Sequence, residues 1–99
     1  MTREELEINV VEWAHIRGLL DPDNLSTQML KLVAEVGELS DEVIKKNREK
    51  MIDELGDCEV VLTIMKEQLG VTQNECLYTA WKKIANRTGS TIGGTFIKD

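Results

Sequence analysis

The sequence contains little proline, few aromatic residues and no long apolar run. Pro22 is the only proline, and the glycines cluster at a few positions, a punctuation typical of helices separated by short stops. Aromatic residues make up 4% of the chain, which favours an aliphatic core over an aromatic-lined pocket. No run approaches the roughly 20 apolar residues of a membrane span, and the first residues, Met-Thr-Arg-Glu-Glu, do not form a signal peptide. We therefore expect a cytoplasmic protein that does not contact membranes.

Basic residues are also in the minority. Eighteen acidic and twelve basic residues give a formal net charge of -6, and a field of that sign opposes binding to a polynucleotide or an anionic lipid surface. The two cysteines, Cys58 and Cys76, fall in predicted helix interiors, so we expect free, buried thiols. Hydrophobic residues make up 41% of the 99 residues, enough for one packed core. These features predict a single domain over residues 1–99 that has no polynucleotide partner.

Apolar residues that recur at steps of three and four divide the chain into four predicted helices. Capping boxes at Thr2 and Thr72, each with a glutamate three residues later, begin the first and the fourth. The second begins near Ser26 and the third near Glu49, and the short polar connection between them predicts an antiparallel hairpin. The predicted helices cover residues 2–18, 26–45, 49–69 and 72–89, followed by a tail or short strand over 90–99 that packs on the bundle.

The third predicted helix differs from the others because it is apolar on nearly every side from Cys58 to Met65. Such a helix must be covered all round. The other helices of one chain cover only one or two of its faces, so a subunit interface explains the surplus apolar surface. We therefore predict an all-α, four-helix bundle that assembles as a homo-oligomer, with a dimer and a tetramer both open.

Two pairs of carboxylates border the apolar faces of the second and third predicted helices. At about 100° per residue, Glu35 and Glu38 lie beside one apolar stripe, and Glu54 and Asp57 lie on the corresponding border of the other. An antiparallel hairpin lets the pairs converge, and four carboxylates so close cannot all stay ionised without a cation. Oxygen donors without cysteine or histidine favour Mg²⁺ over zinc. A solvated acidic face is the structural alternative.

Each carboxylate pair also encloses a glycine, Gly37 in the second helix and Gly56 in the third. Glycine inside a helix costs about 1 kcal/mol relative to alanine. Its presence in both pairs therefore predicts that the two helices approach each other closely at these positions.

The two carboxylate pairs, together with their neighbours, resemble a known motif. Residues 35–38 read Glu-Val-Gly-Glu and residues 54–57 read Glu-Leu-Gly-Asp, similar to the Glu-x-x-Glu and Glu-x-x-Asp pairs of the MazG-like family of all-α nucleoside triphosphate pyrophosphohydrolases. The likeness extends to residues 81–87 and 94–98, which look like those of small stand-alone phage and prophage members. The short spacer between the pairs lacks the insertions of some dUTPase relatives.

The resemblance implies hydrolysis of a nucleoside triphosphate to the monophosphate and pyrophosphate, with Mg²⁺ as cofactor and Mn²⁺ as an alternative. It implies that the four carboxylates, Glu35, Glu38, Glu54 and Asp57, hold the metal. Glu38 or Glu54 would act as the catalytic base toward a water that attacks the α-phosphorus. The residues do not decide between these two.

Cations and polar groups must hold the substrate, because the acidic cluster alone repels a triphosphate. Lys31 could instead form a helical ion pair with Glu35. Lys83 could be a favourable charge in the last turn of its helix, and Trp13 could belong to the core. The candidate substrate-binding residues are Gln28, Lys31, Lys83, Arg87 and Trp13.

Two alternative functions stay open. A sister activity of the superfamily, phosphoribosyl-ATP pyrophosphatase or dUTP hydrolysis, would use the same metal site with different base contacts. A non-catalytic helical oligomer that binds a nucleotide or a protein would have kept the bundle and lost turnover. The intact set of mutually repelling carboxylates favours an enzyme over this last alternative.

Overall fold

The computed structural model describes residues 1–99 and contains four α-helices and a small terminal sheet. One 3₁₀ turn, Pro22–Asn24, joins the first helix to the second. The all-α class and the number of helices agree with the prediction. The helices are α1 (Arg3–Ile16), α2 (Leu25–Lys45), α3 (Arg48–Leu69) and α4 (Gln73–Ile84), and the strands are β1 (Gly89–Ile92) and β2 (Thr95–Lys98).

The first and fourth helices begin at the predicted capping boxes. The Thr2 hydroxyl accepts a hydrogen bond from the backbone N–H of Glu5 at 3.2 Å, and the Thr72 hydroxyl accepts one from Glu75 at 3.0 Å. Each bond satisfies an N–H group that has no partner within the helix. The local sequence therefore sets where α1 and α4 begin.

Helices α2 and α3 form the predicted antiparallel hairpin, and only two residues join them. Lys46 ends α2 in the left-handed conformation, with φ of 59°. Asn47 then caps α3, because its side-chain oxygen accepts a hydrogen bond from Lys50 N at 3.2 Å. So short a turn leaves little freedom in register, and it decides which residues of α2 lie opposite which residues of α3.

The contact between α2 and α3 is the most extensive tertiary contact of the chain. Its seam contains six residues spaced by seven along each helix, and five of them are polar or acidic. Val61 and Ile64 are its most deeply buried members, each 3% exposed. The seam residues at this spacing are Gln28, Glu35 and Glu42 of α2 and Glu54, Val61 and Gln68 of α3.

Helix α1 packs against α3. The guanidinium of Arg3 lies 3.3 Å from the carboxylate of Glu59, near one end of the contact. Near the other end, the Gln68 side-chain N–H₂ donates to the backbone carbonyls of Leu19 and Asp21, each at 3.1 Å. These bonds attach the connection between α1 and α2 to the end of α3.

The residues after α4 form an antiparallel hairpin of β1 and β2. Gly93 and Gly94, with φ of 57° and 80°, make its two-residue turn, a conformation that favours glycine. Helix α4 ends at Ile84, short of the predicted end near Gly89, because the chain from Gly89 onward pairs as strand. All strand residues are exposed, so the hairpin extends from α4 and does not pack on the bundle as expected.

The single chain buries few residues: 7 of 99, and no large side chain among them is fully buried. Helix α4 contains no buried residue. Both cysteines are free as predicted, but only Cys58 is buried, while Cys76 is exposed. No helix has both the length and the apolar character that a membrane crossing requires.

The prediction of close helix approach at the two glycines is wrong for the single chain. A Cβ atom added at Gly37 or Gly56 would meet nothing within 4 Å. Each glycine lies two positions after a seam residue, Glu35 or Glu54, and this rotation of about 200° turns it away from the partner helix.

Candidate metal centre

Carboxylates of α2 and α3 meet near the middle of the hairpin. Oxygen atoms of Glu35, Glu38 and Glu54 lie within 4.8 Å of one another, and so do oxygen atoms of Asp53, Glu54 and Asp57. Glu54 belongs to both groups and joins them into one cluster. The structure thus brings together the four carboxylates that the sequence analysis selected.

Helix geometry explains why these side chains converge. Glu35 and Glu38 are three residues apart, which separates them by about 4.5 Å along the helix axis on one face. Glu54 and Asp57 have the same spacing on α3. The short turn at Lys46 then sets the register that places the two faces side by side.

Two carboxylate oxygens of this cluster are buried without a partner. Glu35 is 7% exposed, and its Oε1 lies 3.0 Å from the ammonium of Lys31, but its Oε2 has no hydrogen-bond partner. Glu54 also buries Oε2 without a partner. Burying such an oxygen is costly unless a donor or a cation satisfies it. The oxygen-only donors and their proximity therefore fit a hard divalent cation.

The cluster shifts the acidity of its members in opposite directions. Burial and the nearby carboxylates of Glu35 and Glu38 raise the pKa of Glu54 to about 7. Burial also raises the pKa of Asp57. The hydrogen bond from Lys31 lowers the pKa of Glu35. Carboxylates whose pKa values are driven apart within one cluster are a mark of functional sites.

The sequence analysis missed Asp53 as a member of the cluster. Asp53 lies one helical turn before Asp57, so both side chains project on the same face of α3. The Asp-x-x-x-Asp spacing could have predicted that Asp53 lies beside Asp57. It was overlooked because Asp53 directly precedes Glu54, the first residue of the recognised motif.

Glu42 also has an unusual environment that the sequence analysis did not single out. Its side chain is 13% exposed, and its Oε2 is buried without a partner. The ammonium of Lys45 lies 3.8 Å from its other oxygen. Glu42 follows Glu38 by one turn of α2, so it extends the row of carboxylates toward the turn.

Two of the predicted substrate-binding residues lie on α2 near the cluster. Lys31 forms the ion pair with Glu35, and this contact raises the pKa of Lys31. The helical ion pair considered as the alternative for Lys31 is therefore present. Gln28 is buried in the seam, two turns before Glu35.

The other three predicted substrate-binding residues lie elsewhere in the single chain. Lys83 is exposed in the last turn of α4, whereas Arg87 is exposed in the connection between α4 and β1, beyond the helix that was predicted to contain it. Helix α4 shares little surface with α2 or α3. Trp13 lies on α1, where its ring centroid is 4.4 Å from the guanidinium carbon of Arg17. A role of these residues in substrate binding stays a prediction.

A cavity of about 720 Å³ lies apart from the carboxylate cluster, between α1, the end of α3 and the start of α4. Acidic residues of α1, including Glu4, Glu7 and Glu12, line it together with His15 and Lys66. None of the predicted site residues faces this cavity, so its volume is no evidence for the metal centre.

Comparison with known proteins points to the same region of the chain. A family model described as the MazG nucleotide pyrophosphohydrolase domain matches residues 23–91, which include the whole carboxylate cluster. An uncharacterized 18.2 kDa protein from the rep-hol intergenic region of Haemophilus phage HP1 (strain HP1c1) is 35% identical over 65 residues. This match covers 66% of the chain and 40% of the phage protein, so the chain spans less than half of its relative. No solved structure matches.

Proposed function

Because the chain belongs to the MazG nucleotide pyrophosphohydrolase family, we propose that it hydrolyses a nucleoside triphosphate to a nucleoside monophosphate and pyrophosphate, with Mg²⁺ or Mn²⁺ as cofactor. One observation carries the proposal furthest. Glu35 and Glu54 bury carboxylate oxygens without partners, in a cluster whose oxygen atoms lie within 4.8 Å of one another. Buried carboxylates without partners lower the stability of the fold, so their presence favours a role in function. A bound metal ion would offset their charge and would also bind the phosphates of an anionic substrate.

The residues proposed to hold the metal are Glu35, Glu38, Glu54 and Asp57. When bound there, the cation would offset the charge of the triphosphate and make a coordinated water more acidic. Glu35 is held in place by its ion pair with Lys31. The half-buried Glu54 and Asp57 keep the cluster on one face of α3.

Glu38 is the stronger candidate for the proton acceptor. It is exposed, so water reaches it, whereas Glu54 is half-buried between the two carboxylate groups. In the proposed step, the oxygen of water forms a bond to the α-phosphorus, and the bond from that phosphorus to the oxygen shared with the β-phosphorus breaks. Glu38 takes the proton of the attacking water, and pyrophosphate leaves.

The substrate also needs cations from the protein. Lys31 is the only one that the single chain places beside the cluster, and we propose that it contacts a phosphate oxygen when substrate binds. Lys83 and Arg87 would reach a cluster only from another copy, since α4 and the connection that follows it pack little against α2 and α3. The proposed active unit is therefore a homo-oligomer.

Product analysis tests the proposed reaction. Purified protein is incubated with canonical, deoxy and modified triphosphates, including dUTP, and with phosphoribosyl-ATP, each with Mg²⁺ and with EDTA. We expect monophosphate and pyrophosphate only with the metal, and the panel ranks the substrates. Release of single phosphates would indicate that water attacks a phosphorus other than the α-phosphorus. No turnover of any substrate would favour the non-catalytic alternative.

Two variants on α2 test whether turnover depends on a carboxylate of the cluster or on any acidic residue of the helix. Glu38→Gln should abolish turnover, because it removes the proposed proton acceptor and a proposed ligand. Asp41→Asn is the matched control, since Asp41 is an exposed acid on the same helix outside the cluster. Equal turnover by the two variants would contradict the proposed role of Glu38.

A further inference from the structure

The ion pair between Lys31 and Glu35 joins the surface of α2 to the interior of the carboxylate cluster. The two residues are one helical turn apart, and the ammonium nitrogen of Lys31 lies 3.0 Å from Oε1 of Glu35. The side chain of Lys31 is 60% exposed, whereas that of Glu35 is only 9% exposed. Lys31 therefore holds the most deeply buried carboxylate of the cluster from the solvent side.

This contact decides which oxygen of Glu35 is free for a metal. Both oxygens belong to one planar carboxylate, so a contact that fixes Oε1 also fixes the direction of Oε2. Oε2 is buried without a hydrogen-bond partner. A carboxylate oxygen of Glu35 lies within 4.8 Å of oxygens of Glu38 and Glu54. The ion pair thus leaves one unpartnered oxygen in a fixed direction, as expected for a metal ligand that a neighbouring group orients.

Helix stability alone is a weak reason for this ion pair. A pair of charges one turn apart stabilises a helix best when glutamate precedes lysine, and here Lys31 precedes Glu35. The charge of Lys31 is not a sufficient reason either, because a positive charge beside a cation site weakens the binding of the cation. Orientation of the Glu35 carboxylate accounts for a lysine at this position.

The ammonium of Lys31 also has donors that the chain does not use. A lysine ammonium carries three N–H donors, and Glu35 is the residue with which Lys31 pairs. Because the Lys31 side chain is largely exposed, its other two donors are open to solvent. Lys31 can therefore donate to a phosphate oxygen and keep its contact with Glu35 at the same time.

We propose that Lys31 is a positioning residue that orients Glu35 for the metal and links this ligand to the substrate. Lys31 keeps its contact with Oε1 of Glu35 when the metal binds, which leaves Oε2 as the oxygen for the cation. A second N–H of the same ammonium donates to a phosphate oxygen of the triphosphate. This inference rests on the proposed function, because it takes the cluster to be the metal site of a triphosphate reaction.

Binding of Mn²⁺ alone, measured by titration calorimetry, tests the positioning without any turnover. Lys31→Met should weaken Mn²⁺ binding by about 10-fold or more, because Glu35 loses the contact that orients it. If Lys31 acted only through its charge, the same variant would bind Mn²⁺ more tightly than the wild type. The two explanations therefore predict changes of opposite sign.

Lys45→Met is the matched control. Lys45 lies on the same helix, and its ammonium is 3.8 Å from a carboxylate oxygen of Glu42, but Glu42 belongs to neither carboxylate group of the cluster. This variant should bind Mn²⁺ at least as tightly as the wild type. Lys31→Arg keeps a charged donor and should restore most of the affinity that Lys31→Met loses. Circular dichroism should show wild-type helicity for all three variants, since methionine and arginine are good helix formers.

The outcomes of the titration separate this inference from the proposed function. Unchanged or tighter Mn²⁺ binding by Lys31→Met would overturn the inference and leave the proposed function intact. A wild type that binds no Mn²⁺ would overturn both. Weaker binding by Lys31→Met and Lys45→Met alike would also overturn the inference, because the effect would not be specific to the contact with Glu35.

Steady-state kinetics test the link to the substrate. At Mg²⁺ concentrations that saturate each protein, Lys31→Met should raise the KM for the best triphosphate of the panel about 10-fold, with a smaller change in kcat, because a charged hydrogen bond is lost. Lys31→Arg should keep the KM within a few-fold of the wild type. A wild-type KM for Lys31→Met would overturn the link, and no turnover by the wild type would overturn the link together with the proposed function.

Discussion

The two halves of the α2–α3 seam differ in what they bury. The half near the turn contains Glu35, Glu42 and Glu54, each with one buried carboxylate oxygen that lacks a partner. The distant half contains Val61 and Ile64, each 3% exposed. Apolar burial stabilises a hairpin, whereas buried, unpaired carboxylates oppose it. One hairpin therefore uses its distant half for stability and its near half for the candidate site.

The largest expected effect comes from removing a charge of the near half. Glu54→Gln should lower turnover of the preferred triphosphate by about 1,000-fold, because several kcal/mol of charge stabilisation depend on the proposed metal site. Its stability without metal should not fall, since a repelling charge is lost. Steady-state kinetics and urea unfolding in EDTA measure the two effects. Full turnover by this variant would show that Glu54 is outside the reaction.

A truncation in the distant half should lower the stability of the chain and leave its turnover nearly unchanged. Ile64→Ala should lower the free energy of unfolding by about 2–4 kcal/mol, because it leaves a cavity in the best-packed part of the seam. Turnover per folded molecule should stay within a few-fold of the wild type. Urea unfolding at fixed protein concentration measures the loss. Ile52→Ala, at a 58% exposed position of the same helix, is the control and should cost much less.

The pH dependence of stability should distinguish the near half as well. The folded chain raises the pKa of Glu54 from an ordinary 4.5 to about 7, so it binds this proton more tightly than the unfolded chain does. The associated stability is present below pH 4.5 and is lost as the pH rises through about 7. In EDTA, the wild type should therefore lose stability relative to Glu54→Gln between pH 5 and pH 8. A constant difference would contradict the raised pKa.

Divalent metal should oppose this trend, because a carboxylate must ionise before it binds the cation. The midpoint of thermal unfolding with Mg²⁺ minus the midpoint with EDTA should grow as the pH rises from 5 to 8. Glu54→Gln should show a smaller increase than the wild type.

The smallest expected effect is at the turn beside the near half. Lys46 adopts φ of 59°, a conformation that costs a residue with a side chain roughly 1 kcal/mol. Lys46→Gly should therefore raise the free energy of unfolding by up to about 1 kcal/mol. Lys45→Gly is the control and should lower it, because Lys45 is still helical. A loss of stability in both variants would mean that the Lys46 side chain makes a contact worth more than the strain.

Local signals predicted the helices well. The capping boxes at Thr2 and Thr72 act within one turn, so their effect is readable from adjacent residues. The end of α4 was predicted too late, because the Gly93-Gly94 hairpin signal was not used to pair β1 with β2. The glycines of the motif, Gly37 and Gly56, were misread because their direction depends on the partner helix.

The candidate site was predicted in part. The carboxylate pairs were found because a spacing of three marks one helix face, and the matching family domain covers the same residues. Asp53 joined the cluster only in the folded chain. The positions of Lys83 and Arg87 could not be derived from periodicity, since they depend on how α4 packs.

The sequence by itself determined the helices, their caps and the faces that carry acids or apolar side chains, because these depend on contacts within one or two turns. Only the tertiary structure decided that Glu35 and Glu54 bury oxygens without partners and that apolar side chains of the hairpin such as Leu62 stay partly exposed in one chain. Both outcomes depend on the register of α2 against α3. The two-residue turn at Lys46 and Asn47 sets that register across residues far apart in the sequence, and periodicity along one helix carries no information about it.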